Sequence, residues 1–327
     1  MQIKNLTKDS FSNLTVLTIG DGMLDRYYYG EINRKSPEAD VDIVDVQEKE
    51  DKLGGAANVA LNIATMGAQS VLISLAGRDE DSQIYQNLLQ GKQVIAQTLI
   101  TARPMTVKTR IYNKNNYVLR LDREVTDAID ELISKDLLTK IENAIISFQP
   151  DICILQDYNK GIFTKENISN IIQLLKKHDI LIAVDPKEAN FFEFKNVDLF
   201  KPNAKEVAIA LKMTIQKSDK NNLKNAAKKL AEQLRFKHLL LTLSEHGVMS
   251  YSEGSFDFVP AKKRNVVDVS GAGDTVIALA SLLLASKVPM TQILELTNLA
   301  GGIMIEQKGV NPLYIEDFIN EIKSNTK

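Results

Sequence analysis

Short apolar runs recur along the chain at Leu14–Ile19, Ser70–Ala76, Ile152–Leu155, Ile180–Val184, Val197–Phe200 and His238–Leu243. Between them apolar residues return at helical spacing over Gly54–Met66, Ile129–Ser147, Lys165–Lys177, Asp219–Leu234 and Ile293–Glu306. Apolar strands alternating with amphipathic helices predict a mainly parallel sheet with helices on both faces. Ligands of such sheets sit beyond the carboxyl ends of the strands. Asp21, Asp157, Asp185 and Asn203 each stand just past an apolar run, which makes them candidates for that edge.

Two stretches break the alternation. Val41–Val46 is short, apolar and punctuated by acids. Met105–Tyr112 and Tyr117–Glu124 read as a hairpin turning at Asn113, Lys114, Asn115 and Asn116. Period-two alternation puts Lys108 and Arg110 on one face of the first arm, and Arg120 and Asp122 on one face of the second. These pieces predict a small sheet over about residues 26–48 and 103–123, a lid inserted in a single domain covering 1–327. A surface hairpin with solvated charges is the alternative.

The stretch Val266–Ala280, VVDVSGAGDTVIALA, reads as an apolar strand, a glycine turn and a helix opening at Gly271-Ala272-Gly273-Asp274. Glycines at a helix mouth let the backbone approach a ligand, and the free N–H groups of the first turn attract an anion such as a phosphate. A carboxylate there either caps the helix or has another task, and taking a proton from an attacking hydroxyl is one. A second glycine-rich helix start, GGAAN at Gly54–Asn58, lies near the front of the chain.

Composition narrows the field. The 40 Lys and Arg against 42 Asp and Glu leave a net charge of −2, with no basic field to suit nucleic acid or an anionic membrane. The single cysteine, Cys153, lies in the apolar run ICIL and reads as a buried strand residue in a reducing compartment. The N-terminus MQIKNLTKDSFSN has no signal-peptide core, and Val276–Ala285 is far short of the about 20 residues that cross a bilayer. A cytoplasmic protein is expected. Walker A, GxGxxG, HExxH and GxSxG patterns are all absent, and His178, His238 and His246 form no plausible ligand set.

With GGAANVALNIATMGA near the front and DVSGAGDT near the back, the chain resembles the ribokinase-like (PfkB) family of sugar kinases from Gly20 to the last helix. The resemblance implies an α/β fold, a ribokinase-like three-layer α/β/α sandwich with a mainly parallel central sheet and a small β-sheet lid. It also implies ATP and Mg²⁺, a sugar acceptor, and a homodimer formed through the lid. By the same resemblance Asp274 is the catalytic base, and the N–H groups of Gly271, Ala272 and Gly273 hold the transferring phosphoryl group. Asn203 and Glu206 of KPNAKE would act near Mg²⁺ and the triphosphate, Glu206 through water; helix capping is their alternative role. Thr242, Ser244, Glu245 and Gly247 would line the nucleotide site.

On the acceptor side, Asp25, Gly54, Gly55 and Asn58 match positions that bind sugar hydroxyls. Lys108 and Arg110 are the leading cations for a phosphorylated substrate, with Arg120, Lys160 and Lys187 behind them. Asp157 with Lys160, and Asp185 with Lys187, would face the same cleft or form local salt bridges. Gln156 stands where similar kinases carry a small residue. GDGMLDRYYYG, SPEADVDIVDV and DYNKG most resemble the members acting on D-glycero-β-D-manno-heptose 7-phosphate at C1, on the route to ADP-heptose and lipopolysaccharide. A kinase of a fructose or tagatose phosphate, or a sugar-binding regulator without activity, are the other readings.

Overall fold

A computed structural model describes residues 6–324; residues 1–5 and 325–327, which the single-domain reading of 1–327 includes, lie outside the described residues. In chain order the strands are β1 (Thr15–Gly20), β2 (Gly22–Lys35), β3 (Asp42–Gly55), β4 (Gln69–Ile73), β5 (Leu75–Ala76), β6 (Val94–Ala96), β7 (Leu99–Ile100), β8 (Val107–Asn113), β9 (Asn116–Arg123), β10 (Ile152–Gln156), β11 (Leu181–Asp185), β12 (Leu199–Phe200), β13 (His238–Thr242), β14 (Val248–Ser252) and β15 (Ser255–Val259). The helices are α1 (Ala56–Thr65), α2 (Glu80–Gln90), α3 (Glu131–Phe148), α4 (Lys165–Lys177), α5 (Ala204–Leu211), α6 (Lys220–Leu234), α7 (Ala272–Ala285), α8 (Met290–Met304) and α9 (Ile315–Ser324).

The main sheet runs in the order β15-β14-β13-β12-β11-β10-β1-β4-β6 and is parallel from β13 to β6. Its central strands are apolar throughout because both faces are covered. On one face Leu17, Ile19, Cys153, Leu155, Ile182 and Val184 pack with α3, α4 and α6. On the other, Val16, Ile152, Ile154, Ala183 and Leu240 pack with α7, α8 and α9. This is the expected α/β/α sandwich.

The second sheet, β3-β2-β8-β9, is the lid. It is broader than the hydrophobic pattern indicates, because β2 and β3 begin and end at the body itself, with Gly22 paired to Gly55. The hairpin of β8 and β9 turns at Lys114 and Asn115 as expected, and its register sets Lys108 opposite Asp122 and Arg110 opposite Arg120. On the outer side Arg26 bridges Asp51 (2.6 Å) and Asp81 (2.7 Å), while Arg123 bridges Asp79 and Asp81 (both 2.6 Å), tying the lid to the start of α2.

The expected strand at Val266–Val269 does not form. Val266, Val267 and Val269 are exposed, and the N–H groups of Val267 and Asp268 bond to the Ile305 carbonyl at the end of α8 (2.8 and 3.2 Å). Their backbone partners lie at a helix terminus, so an apolar run read as strand becomes a loop instead. Ser70–Ala76 is likewise two strands, β4 and β5, because β5 leaves the main sheet to pair with β7.

Helices α1 and α7 meet through polar groups as well as small apolar ones. The buried Asn62 carboxamide accepts from the Thr275 hydroxyl (2.9 Å) and the Leu313 N–H (3.0 Å) and donates to the Asn58 carbonyl (2.9 Å). Truncating it leaves the Thr275 hydroxyl and the Leu313 N–H without this partner, each costing about 1–3 kcal/mol. Asn62→Ala should therefore lower unfolding free energy by about 3 kcal/mol in urea titration; an unchanged midpoint would contradict the reading of this junction.

Candidate active site

The site forms where α7 begins. Gly271 precedes the helix at φ 79°, and a Cβ there would lie 3.1 Å from Asn58 Nδ2 and 3.3 Å from Val310 Cγ1, so the position requires glycine. No side chain caps α7. An uncapped helix mouth opened by glycine turns its first N–H groups toward an anion, that of Ala272 also reaching the Val269 carbonyl at 3.5 Å.

Asp274 lies in the first turn of α7 and is only 4% exposed. Asn58 Nδ2 donates to its Oδ2 (2.8 Å), and the Tyr158 hydroxyl donates to its Oδ1 (2.7 Å). Gln156 Nε2 lies 3.4 Å from Oδ1 and 3.1 Å from Asp185 Oδ2, spacing the two carboxylates. Lys201, also buried, pairs with Asp185 at 3.1 Å. Burial pushes the Asp274 carboxyl up to about 6; the bonds from Asn58 and Tyr158 pull it down, Asp185 pushes it up and Lys201 pulls it down. The group therefore titrates close to neutrality, as a general base does.

On one side lies the start of α5. Asn203 and Glu206 form a reciprocal capping box: Asn203 Oδ1 accepts from the Glu206 N–H (2.9 Å), and Glu206 Oε2 accepts from the Asn203 N–H (2.8 Å). Glu206 also pairs with Lys187, whose ammonium is held well above its usual range: burial opposes its charge, but Asp185 and Glu206 outweigh that. Thr242 bridges to Asn203, whereas Ser244 and Glu245 are exposed on the loop that follows, and Glu245 pairs with Lys217 at 3.2 Å. At Gly247, with φ 94°, a Cβ would meet the Val259 carbonyl at 2.1 Å, so glycine lets the β13–β14 loop close.

On the other side the lid faces the cleft. Asp25 is buried and paired with Arg110, whose guanidinium also lies 5.3 Å over the Tyr27 ring. A Cβ at Gly54 would strike Asp25 Oδ2 at 2.2 Å, and one at Gly55 the Asp21 carbonyl at 2.4 Å. Both glycines thus make room for the strands that carry Asp25. Lys108, next on the same lid face, holds its ammonium 4.9 Å over the Tyr158 ring and is in no ion pair among the described residues. Burial lowers its pKa; Asp25 opposes that, and Arg120 and Lys160 add to it.

The other sequence candidates take local roles. Lys160 pairs with Glu124 (2.8 Å), and Asp157 accepts from the Asn159 N–H (2.8 Å) and Asn190 Nδ2 (3.2 Å), so the two do not pair with each other. Nor is Lys187 in a salt bridge with Asp185, which pairs with Lys201. Asp21 accepts from the N–H groups of Tyr158 (2.9 Å) and Lys160 (3.0 Å), which makes it a brace for that loop. Sequence reasoning did not assign Lys201, Tyr158 or Asn62 to the site. Lys201 directly follows the buried run VDLF, and Tyr158 and Asn62 lie within DYNKG and GGAANVALNIATMGA, but local spacing gives none of the three a role.

A buried carboxylate titrating near neutrality, an open anion seat and cations on both flanks suit phosphoryl transfer to a hydroxyl. The sequence profile of "pfkB family carbohydrate kinase" matches residues 14–316. The chain is 35% identical over 302 residues to "Bifunctional protein HldE" of a Nitratiruptor species, covering 92% of this chain and 63% of that protein. It is 34% identical to the protein of the same name from Histophilus somni, covering 97% of this chain and 65% of the relative. The chain thus spans less than two thirds of the length of these relatives. Among solved structures, phosphofructokinase-2 from Escherichia coli in complex with substrates and products superposes with a TM-score of 0.80 at 17% identity, over 96% of this chain and 99% of that one. Arabidopsis thaliana ribokinase complexed with ribose and ATP does so at 0.73 and 16%, over 95% and 99%. These likenesses confirm the ribokinase-like fold, and the profile match shows that the chain belongs to the pfkB family of carbohydrate kinases and is a phosphotransferase.

Proposed function

We propose that this kinase transfers the γ-phosphoryl group of ATP to the C1 hydroxyl of D-glycero-β-D-manno-heptose 7-phosphate, with Asp274 as the base. The observation that carries the reading is the Asp274 carboxylate, buried yet ionisable near neutrality, beside an uncapped helix mouth. Asp274 takes the proton of the C1 hydroxyl as that oxygen attacks. The N–H groups of Gly271, Ala272 and Gly273 stabilise the charge of the transferring group, where preorganised donors act most strongly. Asn58 holds the base in place from α1.

ATP enters from the α5 side, where Lys187 reaches the phosphates and Thr242, Ser244 and Gly247 line the nucleotide. Mg²⁺ neutralises charge on the phosphates when bound. The fit for it is outer-sphere: among the described residues no cluster of three or more metal-ligating side chains exists, and both Glu206 oxygens already accept protein donors. Glu206 would reach the ion through water.

Asp25 and Asn58 bind sugar hydroxyls, with Arg110 setting the geometry of Asp25. The acceptor's own phosphate falls to Lys108, the lid cation that forms no ion pair among the described residues, with Arg120 and Lys160 beside it. Resemblance at GDGMLDRYYYG, SPEADVDIVDV and DYNKG supports the heptose phosphate. The lid's outer face carries exposed Val46, Leu119 and Leu121, and we assign it to pairing with the lid of a second copy.

ATP-dependent phosphorylation of heptose 7-phosphate, hexose phosphates and unphosphorylated sugars tests the reading. Wild type should phosphorylate heptose 7-phosphate at C1, Asp274→Asn should lose at least about a thousandfold in kcat, and Lys108→Ala should raise KM for the sugar phosphate about tenfold with KM for ATP unchanged. Preference for a hexose phosphate would overturn the heptose assignment. By analytical ultracentrifugation wild type should sediment as a dimer and the double variant Leu119→Glu, Leu121→Glu as a monomer; equal sedimentation would refute pairing through the lid.

A further inference from the structure

We propose that the Tyr158 hydroxyl is a positioning group that occupies, on Asp274, the place of the acceptor hydroxyl, and that the acceptor displaces it. The proposal rests on the kinase reading above and adds a role to a residue that reading leaves unused.

A base that removes a proton from a sugar must first accept a hydrogen bond from that hydroxyl. Oδ1 of Asp274 accepts such a bond from another hydroxyl, that of Tyr158, at 2.7 Å. The phenol stays protonated and able to donate, because burial and the charges of Asp274 and Asp185 push its own pKa up. Oδ2 is meanwhile held by Asn58. Both oxygens of the base thus have protein donors.

The loop beneath the tyrosine is fixed. Asp21 accepts its N–H (2.9 Å), Asn159 and Gly161 sit at φ 54° and 86°, and a Cβ at Gly161 would lie 1.9 Å from the Asp127 carbonyl. With that backbone fixed, the side chain is the part that would move. Its ring is contacted by an ammonium from the lid, Lys108 at 4.9 Å, and one from the body, Lys187 at 5.3 Å. Lys108 is the cation assigned to the acceptor's phosphate, and Lys187 the one assigned to ATP. Each ligand would therefore draw a cation off the ring and loosen the tyrosine when both are present. Until then the phenol keeps water from the base, and with it the hydrolysis of ATP.

Tyr158→Phe keeps the ring and both cation contacts and removes only the hydroxyl. Two measurements follow. The ratio of sugar-independent ATP hydrolysis to sugar phosphorylation should rise several-fold. The carboxyl ¹³C titration of Asp274, assigned with Asp274→Asn, should move upward by about one pH unit, since a donor to the ionised form is lost. The proposal requires both, and an unchanged ratio or an unmoved titration overturns it. A wild type that phosphorylates no sugar would overturn the kinase reading instead; the titration needs no turnover, so the two failures are read from different experiments.

Discussion

Burying one carboxylate, Asp274, constrains the architecture around it. An acid in the first turn of a helix is ordinary, but one that is 4% exposed loses its hydration and must be supported by fixed dipoles and a cation. Asn58 comes from α1, Gln156 from β10, Lys201 from just after β12 and Tyr158 from the loop after β10. Those elements are distant in sequence, so the parallel sheet has to be complete before the carboxylate is satisfied. The α1–α7 junction, with Asn62 holding Thr275 and Leu313, fixes the helix that carries the acid.

The lid extends the same arrangement outward. Its inner face brings Asp25, Arg110 and Lys108 to the cleft, and its tyrosines meet the loop after α8: the Val310 N–H donates to the Tyr27 hydroxyl (2.9 Å) and Lys308 lies over Tyr29 and Tyr112 (4.4 and 4.8 Å). That loop also reaches the segment before α7, where the Gly309 N–H donates to Asp268 (3.1 Å). Lid and anion seat are therefore joined through one short stretch of backbone, a route by which an event at either can bias the other.

Much of this was legible in the sequence, for identifiable reasons. Apolar runs buried on both faces have no competing reading, so β1, β10, β11 and β13 fall where periodicity puts them. Gly271 and Gly55 combine positive φ with no space for a Cβ, a pairing of demands that glycine meets. The loop at Val266–Val269 escaped because exposure, not composition, separates it from a strand. Partner choice escaped as well: Lys187 with Glu206, Asp185 with Lys201 and Arg110 with Asp25 are contacts between segments far apart in the chain, invisible to local spacing.

On the proposed function, Asp274 is kept ionisable and buried for chemistry, against folding stability. Its pKa in the folded protein, about 6, is raised above the ordinary 3.8. The sign follows: the carboxyl favours the fold fully below about pH 4, and that contribution is lost as pH rises through about 6. Urea unfolding of wild type and Asp274→Asn from pH 4 to 8 measures it directly, with Asp157 and the other acids common to both proteins. Asp274→Asn should gain stability over wild type as pH rises from 4 to about 6, by up to about 3 kcal/mol, and keep that gain to pH 8. A variant no more stable than wild type at pH 8 than at pH 4 would contradict it.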